Sequence, residues 1–168
     1  MGDVSWDLLL AEQLRHNGQL FFRLAHNILR DTSMSEDMCQ QALLRAWEQR
    51  DRLDPSPLSL KGWLARTVVN NSLQVLRRGK IEQRVVAAQA TNSAQESHDG
   101  HATTETQEAI RAAVARLPEE TRLVVAMRLL EGMSGVEVKD LLGCSSAEVS
   151  RQLHRGMDEL RRVLGEVV

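Results

Sequence analysis

Residues 134–155 read SGVEVKDLLGCSSAEVSRQLHR, and this stretch decides the fold. Ser134 stands three residues before Glu137, and Ser145 three before Glu148. Both pairs have capping-box spacing, in which a serine hydroxyl and a glutamate carboxylate satisfy the first free N–H groups of a helix. Between the boxes Val138, Leu141 and Leu142 repeat at helical spacing, and Gly143 supplies a stop. The second box opens a longer helix with Val149, Leu153, Leu160 and Leu164 on one face. A short capped helix, a tight turn at Leu142-Gly143-Cys144-Ser145 and a longer capped helix make a helix-turn-helix. With Val149 and Leu153 inward, Ala147, Arg151, His154 and Asp158 point outward, and Ser150 and Arg155 flank them. Ser146 and Ala147 are small enough to let the helix tip approach a groove closely, and Arg151 can reach a guanine edge or a phosphate. Asp158 and Glu159 would repel a phosphate backbone, so the first two turns should engage. The competing reading of the same residues is an ordinary αα-hairpin in a bundle.

The pattern extends upstream. Ala109, Ile110, Ala113, Val114 and Leu117 form an amphipathic stripe. Pro118 suits a helix start, and Leu123, Val124, Met127 and Leu130 follow before Gly132 stops the run. The first half of the chain has its own stripes. One N-terminal helix is expected around Trp6–Leu14, and a second carries Leu20, Phe21, Leu24, Ala25 and Ile28. Asp31-Thr32-Ser33 breaks that run, and Ser33 with Glu36 has capping-box spacing for a helix reaching about Arg50. Met38, Cys39, Ala42, Leu43, Ala46 and Trp47 form its apolar side, with Trp47 expected in the core. Pro55 and Pro57 punctuate a loop, and a further helix is expected from about Leu60 to Lys80.

Between the halves, the stretch after Val86 is rich in Ser, Thr, Gln, Asn and Gly and carries no large apolar side chain. Such a segment buries too little surface to offset its ordering entropy. The expected organisation is therefore all-α: a helical bundle over residues 1–84, a flexible acidic linker over 85–107 and a helix-turn-helix domain over 108–168.

Charge refines this picture. The net charge of −2 does not announce a nucleic-acid binder. The linker region, however, holds Glu96, Asp99, Glu105 and no Lys or Arg, while Lys61, Arg66, Arg77, Arg78, Lys80 and Arg84 cluster with only Glu82 as an acid among them. The alternative to a phosphate-binding surface is a solvated helix face. Cys39 and Cys144 are too few for a disulfide scaffold and suit packing in a reduced, cytoplasmic setting. No apolar run approaches the roughly 18 residues that cross a bilayer, so no membrane insertion is expected. His98 and His101 lack further ligands nearby, so neither a metal nor another cofactor is expected. No nucleophile–base pair, phosphate loop or HExxH motif appears, which argues against an enzyme.

Several stretches together resemble the sigma-70 family. They are Ser35 through Trp47, Gly62-Trp63-Leu64-Ala65-Arg66 through Asn70 to Leu76-Arg77-Arg78, Leu117-Pro118, Leu130-Glu131-Gly132, and Val149 through Arg155. The short linker with no intervening region is similar to the extracytoplasmic-function (ECF) group of alternative sigma factors. The resemblance implies a promoter-recognition subunit that binds core RNA polymerase and promoter DNA, with an anti-sigma factor as a further partner. It places Asp37, Gln40, Gln41, Leu44 and Arg45 on the polymerase-docking surface. Lys61, Arg66, Arg77 and Arg78 would hold phosphates at the −10 element. Asn70 and Trp63 align with family residues at the melted strand, with packing in the core as the other reading of Trp63. Ser146, Ala147, Ser150, Arg151, His154 and Arg155 would read the −35 element as duplex. The sequence departs from the family at Gln41, where Glu is usual, and at Val69 and Gln74, where Arg and Asp are common. Ser150-Arg151-Gln152 replaces the usual Lys-Ser-Arg. An uncommon DNA specificity follows. The competing functional reading is a stand-alone helix-turn-helix regulator whose first half is a dimerisation or effector domain. A regulator of that kind dimerises on a palindrome, whereas a sigma factor is expected to be monomeric when free.

Overall fold

The computed structural model describes residues 5–89 and 105–165, the side chains of 80–89 excepted. The linker reading for 90–104, with Glu96, His98, Asp99 and His101, lies outside the described residues, as do the side chains of Lys80 and Arg84. Every regular element among the described residues is helical.

Helix α1 spans Trp6–Leu29 as one piece rather than the two expected. No proline or cap lies between Leu14 and Leu20, and Gly18 alone costs only about 1 kcal/mol, too little to break a packed helix. The helix ends where Arg30 turns left-handed (φ 57°) and its N–H donates to His26 O at 2.8 Å. Asp31 then caps helix α2 (Thr32–Glu48), accepting from the Met34 N–H at 2.7 Å. The expected cap at Ser33 is displaced because Asp31 satisfies the first turn two residues earlier. A short 3₁₀ turn over Arg50–Arg52 leads to helix α3 (Pro57–Gln89). Pro57 opens this helix rather than breaking a loop: it needs no N–H partner there, and the Leu60 N–H reaches back to Ser56 O at 3.0 Å. The buried Gln13 donates from Nε2 to Pro57 O (3.0 Å), tying the start of α3 to α1. Helical backbone continues through Gln89, into the stretch read as linker.

The N-terminal core is a three-helix contact. Phe21, Leu24, Ala25 and Ile28 of α1 meet Met38, Ala42 and Ala46 of α2 and Leu60, Leu64, Ala65, Val68, Val69 and Leu73 of α3. The alanines of α2 let the helices approach closely. They also turn Trp47 outward: it is 38% exposed, not core, and the Arg50 guanidinium sits 4.7 Å from its ring centroid. Burial pushes the Cys39 thiol up to about 11.

The C-terminal half comprises α4 (Glu105–Arg116), α5 (Glu119–Val125), α6 (Gly135–Leu142) and α7 (Ser146–Gly165). A π turn over Ala126–Leu130 widens the end of α5, with the Glu131 N–H reaching Ala126 O at 3.2 Å. The capping box at Ser134 is complete: the hydroxyl accepts from the Glu137 N–H (3.2 Å) and the carboxylate from the Ser134 N–H (2.7 Å). Those contacts hold the Glu137 carboxyl below its usual range. Gly143 ends α6 at φ 64°. Ser145 accepts from the Glu148 N–H at 3.1 Å, but the Glu148 carboxylate turns to Arg151 and Gln152 instead of closing the second box.

Helix α7 crosses α5 where Gly156 is buried. A Cβ at Gly156 would lie 2.3 Å from Val125 Cγ2 and 2.9 Å from Thr121 Cγ2. Beside it, the buried Gln152 accepts from the Thr121 hydroxyl at 2.7 Å. Glycine here sets the crossing that brings the outer face of α7 to the surface. The same substitution should therefore have opposite signs at two positions. Gly156→Ala should destabilise by about 1–3 kcal/mol through overpacking. Gly79→Ala, in α3 with nothing within 4 Å of the new Cβ, should stabilise by about 0.5–1 kcal/mol. Urea denaturation of both variants checks this; a Gly156→Ala protein as stable as the unaltered chain would contradict the packing described.

Candidate nucleic-acid interface

Three exposed surfaces collect the residues singled out by the sequence. On α7, Ser146, Ala147, Ser150, Arg151, His154 and Arg155 all face solvent along the first turns. Their presentation follows from the inward positions Val149, Gln152 and Gly156. Arg151 pairs with Glu148 one turn earlier, and His154 Nδ1–H donates to Ser150 O at 2.8 Å. Further along, Asp158–Arg161 and Glu159–Arg162 pair with each other, so the helix beyond Arg155 is charge-balanced and only its start offers net positive charge.

On α2, Asp37, Gln40, Gln41, Leu44 and Arg45 are all exposed, outside the buried stripe of Met38, Ala42 and Ala46. Leu44 is 62% exposed and stands one turn before the outward Trp47. The two form an apolar strip that the sequence reading only half located, because it placed Trp47 inside.

On α3, Arg66, Arg77 and Arg78 are exposed, and Lys61, Trp63 and Asn70 are half-buried. Trp63 packs partly against the core and keeps one side open. The surface is cationic but not empty. Arg66 Nη2 donates to Leu142 O at 3.4 Å. Arg77 donates to Ala115 O through Nε at 3.1 Å and through Nη2. Asn70 Nδ2 donates to Glu119 Oε1 at 2.9 Å, and its Oδ1 accepts from Arg122 at 3.3 Å. Arg122 is buried, its Nε has no partner, and burial together with the nearby Arg77 lowers its pKa, with Glu119 opposing. A cleft of 610 Å³ lined by Leu58, Gly62, Trp63, Arg66 and Leu142 marks the seam.

These partners from the C-terminal half were missed by sequence reasoning. No local pattern reports contacts between side chains some 50 positions apart, as between Asn70 and Glu119. Among the described residues no group of three or more His, Cys, Asp or Glu side chains could hold a metal ion, and no helix is long and apolar enough to cross a membrane.

Two family matches coincide with these surfaces. Residues 14–81, which contain the α2 and α3 sets, match Sigma-70 region 2. Residues 107–160, which contain the α7 set, match Sigma-70 region 4. The chain is 32% identical over 166 residues to the ECF RNA polymerase sigma factor SigM of Mycobacterium tuberculosis, covering 96% of this chain and 81% of that protein. It is 29% identical over 170 residues to the ECF RNA polymerase sigma factor SigE of Mycolicibacterium smegmatis, covering 96% of this chain but only 62% of the longer relative. The solved structure of CnrH in complex with the cytosolic domain of CnrY shares the fold, with a TM-score of 0.50, 20% identity, and coverage of 94% of this chain and 88% of that one. The chain thus belongs to the sigma-70 family, in its ECF group: it is an alternative sigma factor, a transcription-initiation protein and not an enzyme.

Proposed function

We propose that the α2 surface docks on core RNA polymerase, that the start of α7 reads the −35 element as duplex, and that α3 holds the opened −10 strand. The observation that supports this reading is the exposure pattern. Each of the three residue sets reaches solvent on a separate helix, and the cations of α3 and α7 lie apart from the apolar strip of α2. Duplex reading needs a helix thin enough at its tip to enter a major groove, and Ser146, Ala147 and Ser150 give α7 that tip. Holding a single strand needs phosphate-binding cations beside a ring on which a base stacks. Arg66, Arg77 and Arg78 with Lys61 supply the first, the open side of Trp63 the second, and Asn70 a donor and acceptor for a base edge.

In this reading residues 1–84 form the polymerase and −10 module, 85–107 a tether and 108–168 the −35 module. The free chain is monomeric and works in the cytoplasm. A stand-alone regulator is not favoured, because the region 2 match covers the very half that a regulator would use for dimerisation. CnrH is held by the cytosolic domain of CnrY in its solved complex; for this chain we infer a comparable protein partner, an anti-sigma factor. The direct test mixes the purified chain with core polymerase and asks for co-elution and run-off transcription from a genomic promoter library. Co-elution with promoter-specific transcripts is expected; a chain that elutes apart from polymerase refutes the reading.

Three variants separate the surfaces. Arg151→Ala should weaken upstream duplex recognition by about 1–3 kcal/mol while leaving polymerase binding intact, as measured by electrophoretic shift of the holoenzyme on promoter DNA. Unchanged affinity for the cognate promoter would contradict the assignment. Leu44→Ala should lower affinity for core polymerase by roughly tenfold without changing thermal stability, since the side chain is mostly exposed; titration of labelled chain against core polymerase reads this. Replacing Arg77 and Arg78 together by Ala should impair promoter opening and flatten its salt dependence. Permanganate reactivity of promoter thymines equal to that with the unaltered protein would exclude a role for these two cations.

A further inference from the structure

Where the end of α1 meets the middle of α4, positive charge stands without its counter-charge. Arg111, on the inward side of α4, is 6% exposed. An arginine is almost never buried that deeply without a partner. Among the described residues its guanidinium has no hydrogen-bond acceptor, and the charges that reach it are those of Arg30 and Glu108. Burial lowers its pKa most, the positive charge of Arg30 lowers it further, and Glu108 works against both. Two guanidiniums therefore share one neighbouring carboxylate. Arg30 is held there by the turn that ends α1, where its backbone is left-handed and its N–H donates to His26 O.

The two arginines line one cavity of 170 Å³, together with Gln107, Ile110 and Leu129. Asn27 stands at its edge, with Nδ2 committed to Glu131. Glu131 also accepts from Arg23, and its side chain is 5% exposed, so its charge is already matched. Pockets that enclose a drug-sized ligand run to about 300–1,000 Å³; this one has room for a small ion or for the charged end of a larger molecule. The apolar side chains of Ile110 and Leu129 lower the local dielectric and strengthen a charge contact made inside. Arg30 and Gln107 are exposed and leave the cavity open to solvent. A guanidinium presents a planar fork of N–H donors that matches the oxygens of a phosphate, and two such forks facing one space match it doubly.

We propose that this cavity binds a phosphate group, held between the guanidiniums of Arg30 and Arg111 with the Gln107 amide at its rim. Neither arginine belongs to the sets assigned to DNA or polymerase, so the site stands apart from that reading. The bound anion supplies the missing negative charge, relieves the repulsion between the two cations and joins the end of α1 to α4. The phosphate has two sources, free phosphate and the terminal group of a nucleotide whose remainder lies outside along the exposed Leu129.

Calorimetric titration of the full chain with inorganic phosphate, at constant ionic strength, reads binding. Thermal unfolding in phosphate and in chloride reads the stabilisation that binding brings. One saturable site and a melting temperature that rises with phosphate are expected. Arg30→Ala, at an exposed position, should weaken phosphate binding roughly tenfold. Arg30→Glu supplies the negative charge from the chain itself, so it should raise the melting temperature in chloride and abolish the response to phosphate. Arg111→Met keeps the length of the side chain without its charge; it should match the unaltered chain in chloride and lose the phosphate response. An arginine with a purely structural role behaves otherwise, because its loss destabilises the chain equally in both salts. Titration with ADP separates the sources. Binding tighter than that of phosphate, and lost in Arg30→Ala, assigns a nucleotide; equal or weaker binding assigns free phosphate.

A phosphate response that does not saturate, or that survives in Arg30→Ala and Arg30→Glu, is a general salt effect and overturns the proposal. Arg111→Met destabilised to the same extent in chloride and phosphate overturns it as well. Should Arg111→Met fail to fold, the two Arg30 variants decide the matter from the exposed side of the cavity.

Discussion

Helix α3 serves two neighbours at once, and the rest of the structure depends on that division. Its inward positions, Leu60, Leu64, Ala65, Val68, Val69 and Leu73, complete the N-terminal core and fix the helix against α1 and α2. Its remaining surface carries Arg66 and Arg77, which stay exposed, and the half-buried Asn70; each of the three reaches a carbonyl or a carboxylate of the C-terminal half. A buried polar group left without a partner costs a few kcal/mol. Polar residues on the buried side avoid that cost locally. The Thr67 and Ser72 hydroxyls each donate at 2.8 Å to the carbonyl four residues earlier, at Trp63 and Val68. The helix can therefore be apolar enough to anchor a bundle and polar enough to hold the C-terminal half through hydrogen bonds.

The C-terminal half is organised by a different constraint, the close crossing of α5 and α7 at Gly156. With no side chain there, α7 packs tightly enough for Gln152 to be buried and bonded to Thr121, and its outer residues are carried to the surface as a rigid row. The π turn after α5 matters for the same reason: it delivers Glu131 to α1 and ties the two halves together. The packing of this sigma factor thus draws on helix ends as much as on helix faces. Caps at Asp31 and Ser134 start the helices, and uncapped carbonyls at Ala115 and Leu142 provide the acceptors across the seam.

Much of this was legible in the sequence where local chemistry governs. The Ser134 box, the stop at Gly143 and the inward face of α7 at Val149 and Leu160 follow from spacing alone, and the structure carries them. So do the outward positions of Arg151 and His154, since a helix with one face committed has little freedom with the other. Where the reading erred, a neighbour had intervened. Asp31 outcompeted Ser33 as a cap because it lies at the true start. Pro57 opened a helix because Ser56 and Gln13 hold its first turn. Trp47 turned outward because Ala42 and Ala46 already fill the inward positions, a packing decision that hydrophobicity does not report. The contacts across the seam left no trace in spacing, because Asn70 and Glu119, or Arg23 and Glu131, meet only through the tertiary fold.

The central claim, that the start of α7 lies on duplex promoter DNA while the chain is held by polymerase, can be tested from a residue the protein already has. Cys144 sits in the turn immediately before α7, half-buried; Cys39, likewise half-buried, lies on α2 and is replaced by Ser so that Cys144 alone is labelled. An iron chelate attached at Cys144 should cut holoenzyme-bound promoter DNA in one compact patch of the upstream duplex. Cuts spread evenly along the DNA, or confined to the melted region, would contradict the account.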